Sequence, residues 1–526
     1  MQQAELIVFL FSLVAALVLV ARRIAVPYPV LLVLGGLALS LIPHLPEMRL
    51  QPDIVFYFFL PALIYPAALF TSWRDFRRNL RPILLLAIGL VLFTIVVIAW
   101  VTHWLLPDLP WAAAFALGAI VSPPDAVAAT SVIRRLGVPH RFEVTLEGES
   151  LVNDATALVA LQFAVAALAS GSFSIEAAAG RFVVAGVGGV AFGLLVGVVM
   201  RWVQRHLDDP PVQITFSLLT PFLAYLPAEY FHVSGVLATV TAGIYLGWHS
   251  PLIITARTRL QASAFWEMIS FLLNGFVFIT IGLQLPGILH EVRGDSLTTL
   301  FLNALLICTA VVLVRIVWVF SATYVPRFLF KSARRRDPYP GWRNVTIVAW
   351  SGMRGVISLA AAFALPFTLP DGRAFPGRNY ILFFTFCVIL TTLVFQGLTL
   401  PFIIRKLRIT RDRTTDDEER SARFEANKAA LEALDQFTRD HKFPGDAVDR
   451  LRAEYQDRLQ QIQLCAENPD DCTGQIATPQ YQQLQQEALR IERQTIIQLR
   501  NRHVINDDAL RRIQRDLDLA ETRLTG

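Results

Sequence analysis

The chain has 526 residues, of which 54 % are hydrophobic and only 17 % charged, and its mean hydropathy is +0.49. That balance excludes an ordinary soluble protein and indicates a polytopic membrane protein. The formal net charge of +5 reflects arginine-rich loops flanking membrane helices, not a nucleic-acid surface.

Apolar runs of membrane length centre near residues 13, 36, 61, 92, 121, 158, 191, 218, 240, 275, 311, 356 and 391, and we number these thirteen segments in chain order. The first, Ala4 to Ala21, lacks a basic leader and a small-residue cleavage site, so it reads as a spanning helix and not a cleaved signal. The connections alternate in character. One set carries Arg22 and Arg23, Arg74 to Arg81, Arg134 to Arg141, Arg201 and Arg205, Arg257 and Arg259, Lys331 to Arg336, and Arg405 to Arg413; the other set is poor in cations. The bias toward cations on the cytoplasmic side puts the first set inside, the N-terminus outside and the C-terminus in the cytoplasm. The composition changes at Arg405 to Arg413, which divides the chain into a transmembrane domain, 1–406, and a cytoplasmic helical domain, 407–526.

Segment five contains Ser122-Pro-Pro-Asp-Ala126. Adjacent prolines remove two backbone donors and push the preceding residue out of helical space, so an unwound stretch is predicted there. Segment six opens with Glu147-Gly-Glu-Ser-Leu-Val-Asn-Asp154 and runs on as an apolar helix. An ionisable group at membrane depth is expensive and is by default a functional-site hypothesis. Asp154 lies thirteen residues beyond Arg141, roughly 20 Å of helix, which is near the middle of the bilayer. Ser150 shares its face, and Glu149 and Asn153 share the neighbouring stripe. Asp125 approaches from the opposite side, so the two carboxylates can meet near the midplane. Ser122, free backbone carbonyls at the break, Ser150 and the two aspartates supply hard oxygen ligands suited to an alkali cation. A carboxylate there can hold a proton or a cation but not both, and that competition alone produces exchange.

In segment ten, Glu267 and Asn274 share a face and are read as structural hydrogen-bonding groups. Two arginines lie at mid-depth, Arg315 in segment eleven and Arg354 in segment twelve, and unpaired each would be costly. We read Glu149 with Arg315 as a structural ion pair. Arg354 either pairs with the other acid, Glu147, or places fixed positive charge where segment twelve unwinds at Ser351-Gly-Met-Arg-Gly355; the sequence leaves open which arginine takes which acid. The two interrupted segments are each fifth in a six-helix repeat if segment seven is a linker. Inverted repeats with matching broken helices are a pattern of secondary transporters. Cys308 and Cys387 sit in apolar segments as packing residues, and Cys465 and Cys472 lack the close spacing of a metal or redox pair. In the tail, Ala422 to Phe437, Ala447 to Leu464, Tyr481 to Leu499 and Ala509 to Leu524 have apolar residues at helical spacing, with starts at Thr478-Pro479 and Asn506. No cofactor is expected.

The Glu147 to Asp154 motif, the proline-broken fifth segment, Phe265-Trp-Glu267 with Asn274, and Gly352-Met-Arg-Gly355 resemble the sodium/proton exchangers of the first monovalent cation:proton antiporter family, in particular its bacterial members. The resemblance covers roughly residues 5 to 405. It implies an all-α antiporter fold of about thirteen transmembrane helices in a bacterial inner membrane, a homodimer, and alternating access between a core and a dimerisation bundle. It implies Na+ (with K+ or Li+ as alternatives) and H+ as substrates, bound at Asp154 with Ser150 and the broken fifth helix contributing, in the service of pH homeostasis. Two departures stand out. Many relatives carry Thr-Asp-Pro at the break, whereas here the acid comes two residues later. Several have an acid in the third segment, and Leu60 to Leu69 has none. Relatives with two adjacent aspartates in segment six are associated with moving more protons than cations; Asn153 beside Asp154 predicts electroneutral exchange. The competing readings are a cation channel or a proton-coupled solute transporter with a cytoplasmic regulatory domain. A membrane enzyme finds no support in a metal cluster or nucleophile–base pair at depth.

Overall fold

The computed structural model describes residues 2–24, 26–42, 52–136, 138–170, 175–291, 296–329, 341–370, 372–408, 414–439 and 445–467, with scattered residues between 488 and 517. The cation block Lys331 to Arg336, Cys472 and the expected helix starts at Thr478 and Asn506 lie outside these. Among the described residues every regular element is a helix, apart from an isolated bridge between Thr368 and Ala374. The chain forms two compact units, Met1–Arg411 and Asp412–Gly526.

In the first unit a helix occupies each of the thirteen expected positions. Segments one and two are Gln2–Ile24 and Tyr28–Ser40. Segments three and four are Val55–Phe70 and Leu80–Leu105. Segments six to eleven are His140–Ser170, Ile175–Arg205, Pro210–Tyr230, Gly235–Ile253, Ala256–Leu283 and Leu297–Leu329. Segment thirteen is Arg378–Leu407. Eight helices among the described residues are long and apolar enough to cross a membrane on those criteria alone. The number thirteen is therefore an expectation that length and composition do not fix.

Segments five and twelve are each split in two. Five consists of Trp111–Val121 and Ala126–Arg135, twelve of Trp342–Trp350 and Val356–Phe363. The causes differ. Pro123 and Pro124 cannot donate to the preceding turn. At the second break the backbone is extended at Gly355, with φ −124° and ψ −155°, which any residue can adopt, so this glycine is needed for clearance and not for its conformational freedom.

Three π-turns widen other helices, at Val55–Phe59, Leu85–Leu90 and Thr392–Gln396. Near the second, the Leu85 carbonyl accepts from Trp318 Nε1 at 3.0 Å. Segments four, five, six, eleven, twelve and thirteen pack on one another; seven and eight pack on nine, nine on three, and ten on one and two. Segments two and ten touch backbone to backbone: a β-carbon at Gly36 or Gly282 would strike the main chain of the other helix.

Between these two groups of helices lies a cavity of about 830 Å³. Its rim is at the arginine-rich end, with Arg22, Ser72 and Arg405, and its lining extends to Val127 and Asn274. In the second unit, Thr414–Arg439 and Gly445–Glu467 pack together, burying Leu434 and Val448. Arg452 reaches Asp435 at 2.6 Å and Asp449 at 3.2 Å.

Candidate functional site

The two breaks meet. The amide of Asp125 donates to the Met353 carbonyl at 2.7 Å, joining the unwound stretch of segment five to that of segment twelve. Asp125 then starts the second half-helix, its Oδ1 accepting from the Val127 amide at 2.8 Å. This is an N-cap, which satisfies a donor that the new helix would otherwise leave orphaned. Gly355 leaves the room in which the carboxylate sits, since a β-carbon there would overlap Asp125 Oδ2 and Cγ.

Segment six presses against this crossing. Asn153 is fully buried and donates from Nδ2 to the Pro124 carbonyl at 2.9 Å. Only the amide nitrogen can donate to a carbonyl, so the Asn153 oxygen must point elsewhere, and it is buried without a partner. Asp154 is 3 % exposed and lies within electrostatic reach of Asp125. No described residue makes a hydrogen bond to its carboxylate or to the Ser150 hydroxyl. An uncompensated buried carboxylate is costly unless it binds a proton or a cation.

Arg315 and Glu149 form a two-pronged ion pair, Nη1 to Oε1 at 2.6 Å and Nη2 to Oε2 at 2.8 Å, with both side chains buried. Arg315 Nε also donates to the Val348 carbonyl at 3.3 Å, which ties segments six, eleven and twelve together.

Arg354 does not pair with Glu147. Its Nε donates to Val121 O at 3.0 Å, its Nη2 to Ser122 O at 3.4 Å, and its Nη1 to Gly352 O. Its own amide donates to Thr392 Oγ1 at 3.1 Å, beside the third π-turn. The guanidinium is thus fixed positive charge among carbonyls that the two breaks leave without helical partners; buried carbonyls need donors, and a guanidinium carries five. Glu147 instead lies near the cavity rim, where Arg134 contacts it at 2.7 Å and also contacts Glu143.

Two more expectations change. The carbonyls at the first break are already engaged: those of Val121 and Ser122 accept from Arg354 and that of Pro124 accepts from Asn153, which leaves one lone pair on each. The Ser122 hydroxyl is turned back to Ala119 O at 2.9 Å. Among the described residues, the oxygens of Asp154 and Ser150, Asp125 Oδ2 and Asn153 Oδ1 make no hydrogen bond at this crossing. Glu267 and Asn274 line the cavity and make no side-chain hydrogen bond among the described residues, so neither plays the structural part expected of it. Thr392 had no signal in the sequence, because a lone threonine in an apolar helix usually bonds its own preceding turn; it does that too, to Val388 O at 2.7 Å.

The family model described as "Sodium/hydrogen exchanger, transmembrane" matches residues 9–406. A Na(+)/H(+) exchanger of Mycobacterium tuberculosis H37Rv is 37 % identical over 98 % of this chain and 96 % of its own length. The Na(+)/H(+) exchanger YjcE of Escherichia coli K12 is 31 % identical over 98 % of both. The sodium, potassium, lithium and rubidium/H(+) antiporter of Bacillus subtilis 168 is 35 % identical over 76 % of this chain and 61 % of its own. Among solved structures, the sodium proton antiporter MjNhaP1 of Methanocaldococcus jannaschii shares the fold, with a TM-score of 0.61 at 19 % identity over 77 % of this chain and 99 % of that one. A crossing of two broken helices beside a buried carboxylate, on a chain whose membrane unit that family model spans, makes this protein a multi-pass membrane antiporter and not an enzyme: the chain belongs to the sodium/hydrogen exchanger family.

Proposed function

We propose that the protein exchanges Na+ for H+ at Asp154, with K+ or Li+ as further substrates, by alternating access in a bacterial inner membrane. The observation that carries this reading is the Asp154 carboxylate: buried, without a hydrogen-bond partner among the described residues, and one turn from the uncommitted Ser150 hydroxyl. In the proton-loaded state Asp154 is neutral, which suits its surroundings. In the cation-loaded state its charge is balanced by the metal ion, and Ser150, Asn153 Oδ1 and Asp125 Oδ2 complete a set of hard oxygens. One charge at the site accepts either ion, so binding a cation releases a proton. With Asn153 beside it unable to titrate, Asp125 ionised throughout the cycle, Glu149 and Arg315 held as an ion pair and Arg354 keeping its charge among carbonyls, one proton leaves for each cation and the exchange is electroneutral. The name of the B. subtilis relative, which includes four alkali cations, supports a site that is not restricted to Na+.

The cavity between the two groups of helices is the route to the cytoplasm, and the arginine-rich rim lies inside, with the N-terminus outside and the tail, 407–526, in the cytoplasm as a helical appendage. All thirteen segments span the membrane, and two copies pair through the bundle that includes segment seven. The broad exposed face of that segment, with Val183, Val187, Leu194 and Leu195, supports lipid or a second copy as its neighbour.

The test is Asp154→Asn in liposomes with a trapped pH dye. The variant is expected to fold and to show no cation-driven proton movement. Near-normal exchange by well-folded Asp154→Asn protein refutes the assignment.

A further inference from the structure

Beside Asp154, the two groups of helices close on an apolar cluster that runs from the cation-poor end of segments eight and nine along segment three. Its buried members are Leu60, Ile64 and Ala68 of segment three, Leu151 and Ala155 of segment six, Tyr225 of segment eight, and Val236, Val240 and Ile244 of segment nine. None of them lines the cavity. Leu151 and Ala155 flank Asp154 along segment six, so the cluster begins at the site itself.

Tyr225 is the odd member. It is 2 % exposed, and its hydroxyl is the one polar side-chain group among the cluster's buried residues. Its hydroxyl has no hydrogen-bond partner among the described residues and is not fully enclosed, so it borders open space at the edge of the cluster. The hydroxyl lies within electrostatic reach of Asp154 on one side and of Glu229 and Tyr57 on the other. Tyr57 belongs to the π-turn of segment three and meets the Tyr225 ring edge-on, with centroids 6.4 Å apart. Glu229 ends segment eight at the cation-poor surface. One of its oxygens accepts from the Gly235 amide at 2.9 Å, and the other has no partner among the described residues. A carboxylate at the site, a lone hydroxyl at an apolar seal and a carboxylate at the mouth thus follow one another outward.

We propose that Tyr225 is the outer gate of the exchange path, and that its hydroxyl and the Glu229 carboxylate form a transient station for the monovalent cation between Asp154 and the outer solution. The ring blocks the route in the inward-open arrangement. When the two groups of helices shift, the hydroxyl offers a hard oxygen where the surrounding side chains offer none, which lowers the barrier for a partly dehydrated ion. The station rests on Asp154 being the exchange site; the seal does not.

Two measurements test it. In a chain with its four cysteines changed to serine and Ala155→Cys as reporter, a membrane-impermeant maleimide is applied from the outer side. Labelling is expected to be slow with Tyr225 or Tyr225→Phe, which keeps the plug, and about tenfold or more faster with Tyr225→Ala, because opening the seal exposes the thiol. Unchanged labelling in Tyr225→Ala overturns the gate, whatever becomes of Asp154. Tyr225→Phe and Glu229→Gln, which preserve shape, are then assayed in vesicles of both orientations. Each is expected to raise the apparent KM for Na+ roughly fivefold from the outer side, as loss of one polar contact would, and to leave the inner-side KM unchanged. Equal shifts on both sides, or none, overturn the station.

Discussion

Removing either partner of the Glu149–Arg315 pair destabilises the protein, and the two losses are unequal. Arg315 Nε and Arg354 Nη1 both lie within about 3.0 Å of the point a β-carbon on Gly352 would occupy. The two guanidinium groups therefore approach to about 6 Å, and Glu149 lies within electrostatic reach of Arg354 as well. Arg315→Ala leaves one acid and one base buried near each other. Glu149→Ala leaves two like charges. Breaking a buried pair costs about 3–5 kcal/mol; the repulsion of the two guanidinium groups, about 3 kcal/mol at ~6 Å and an effective dielectric of ~20, is present in the native protein, and Arg315→Ala relieves it whereas Glu149→Ala does not. Glu149→Ala should thus be the more damaging change. The double variant should lose less than Glu149→Ala alone, because the guanidinium left uncompensated by the first change is gone. Unfolding of purified protein in mixed micelles, followed for the four chains of a double-mutant cycle, measures this. Strict additivity would mean that the pair does not interact; equal single losses would mean that Arg354 does not feel Glu149.

Asp125→Asn keeps an oxygen to accept from the Val127 amide but removes the charge, so stability should change by less than about 0.5 kcal/mol while the apparent cation affinity falls or transport stops; unchanged kinetics remove Asp125 from the site. Gly355→Ala forces a β-carbon onto the Asp125 carboxylate and should destabilise by about 1–3 kcal/mol with loss of transport, whereas wild-type exchange kinetics would show that the crossing yields without disturbing the site. Recordings on solid-supported membranes should show no sustained cation-dependent transport current, since one proton leaves for each cation; a current that reverses with the pH gradient would show that a second group titrates.

Much of this protein is legible along the chain, because the physics concerned is local. A run of apolar residues must become helix in lipid, since its backbone finds no other partners there. Pro123 and Pro124 must interrupt that helix. Asp154, counted from Arg141, and Asp125, counted from the start of its helix at Trp111, come to similar depth. The turn-by-turn spacing of Ser150 and Asp154 needs no tertiary information. What the count of residues cannot say is which donor reaches which acceptor. Arg354 had an available acid in Glu147, yet its hydrogen bonds go to carbonyls more than 200 residues earlier, at Val121 and Ser122. Those same bonds engage the break carbonyls that the sequence suggests are free. Thr392 and Tyr225 are likewise ordinary residues of apolar helices until packing brings distant polar groups near them. A hydrogen bond or ion pair depends on direction and on distances of a few ångströms, and these are settled only when helices far apart in sequence cross. The chain alone determined the helices, the breaks and the depth of the charges; the crossing of segments five and twelve against segment six decided which groups are spent on holding the fold and which are left over for the ion.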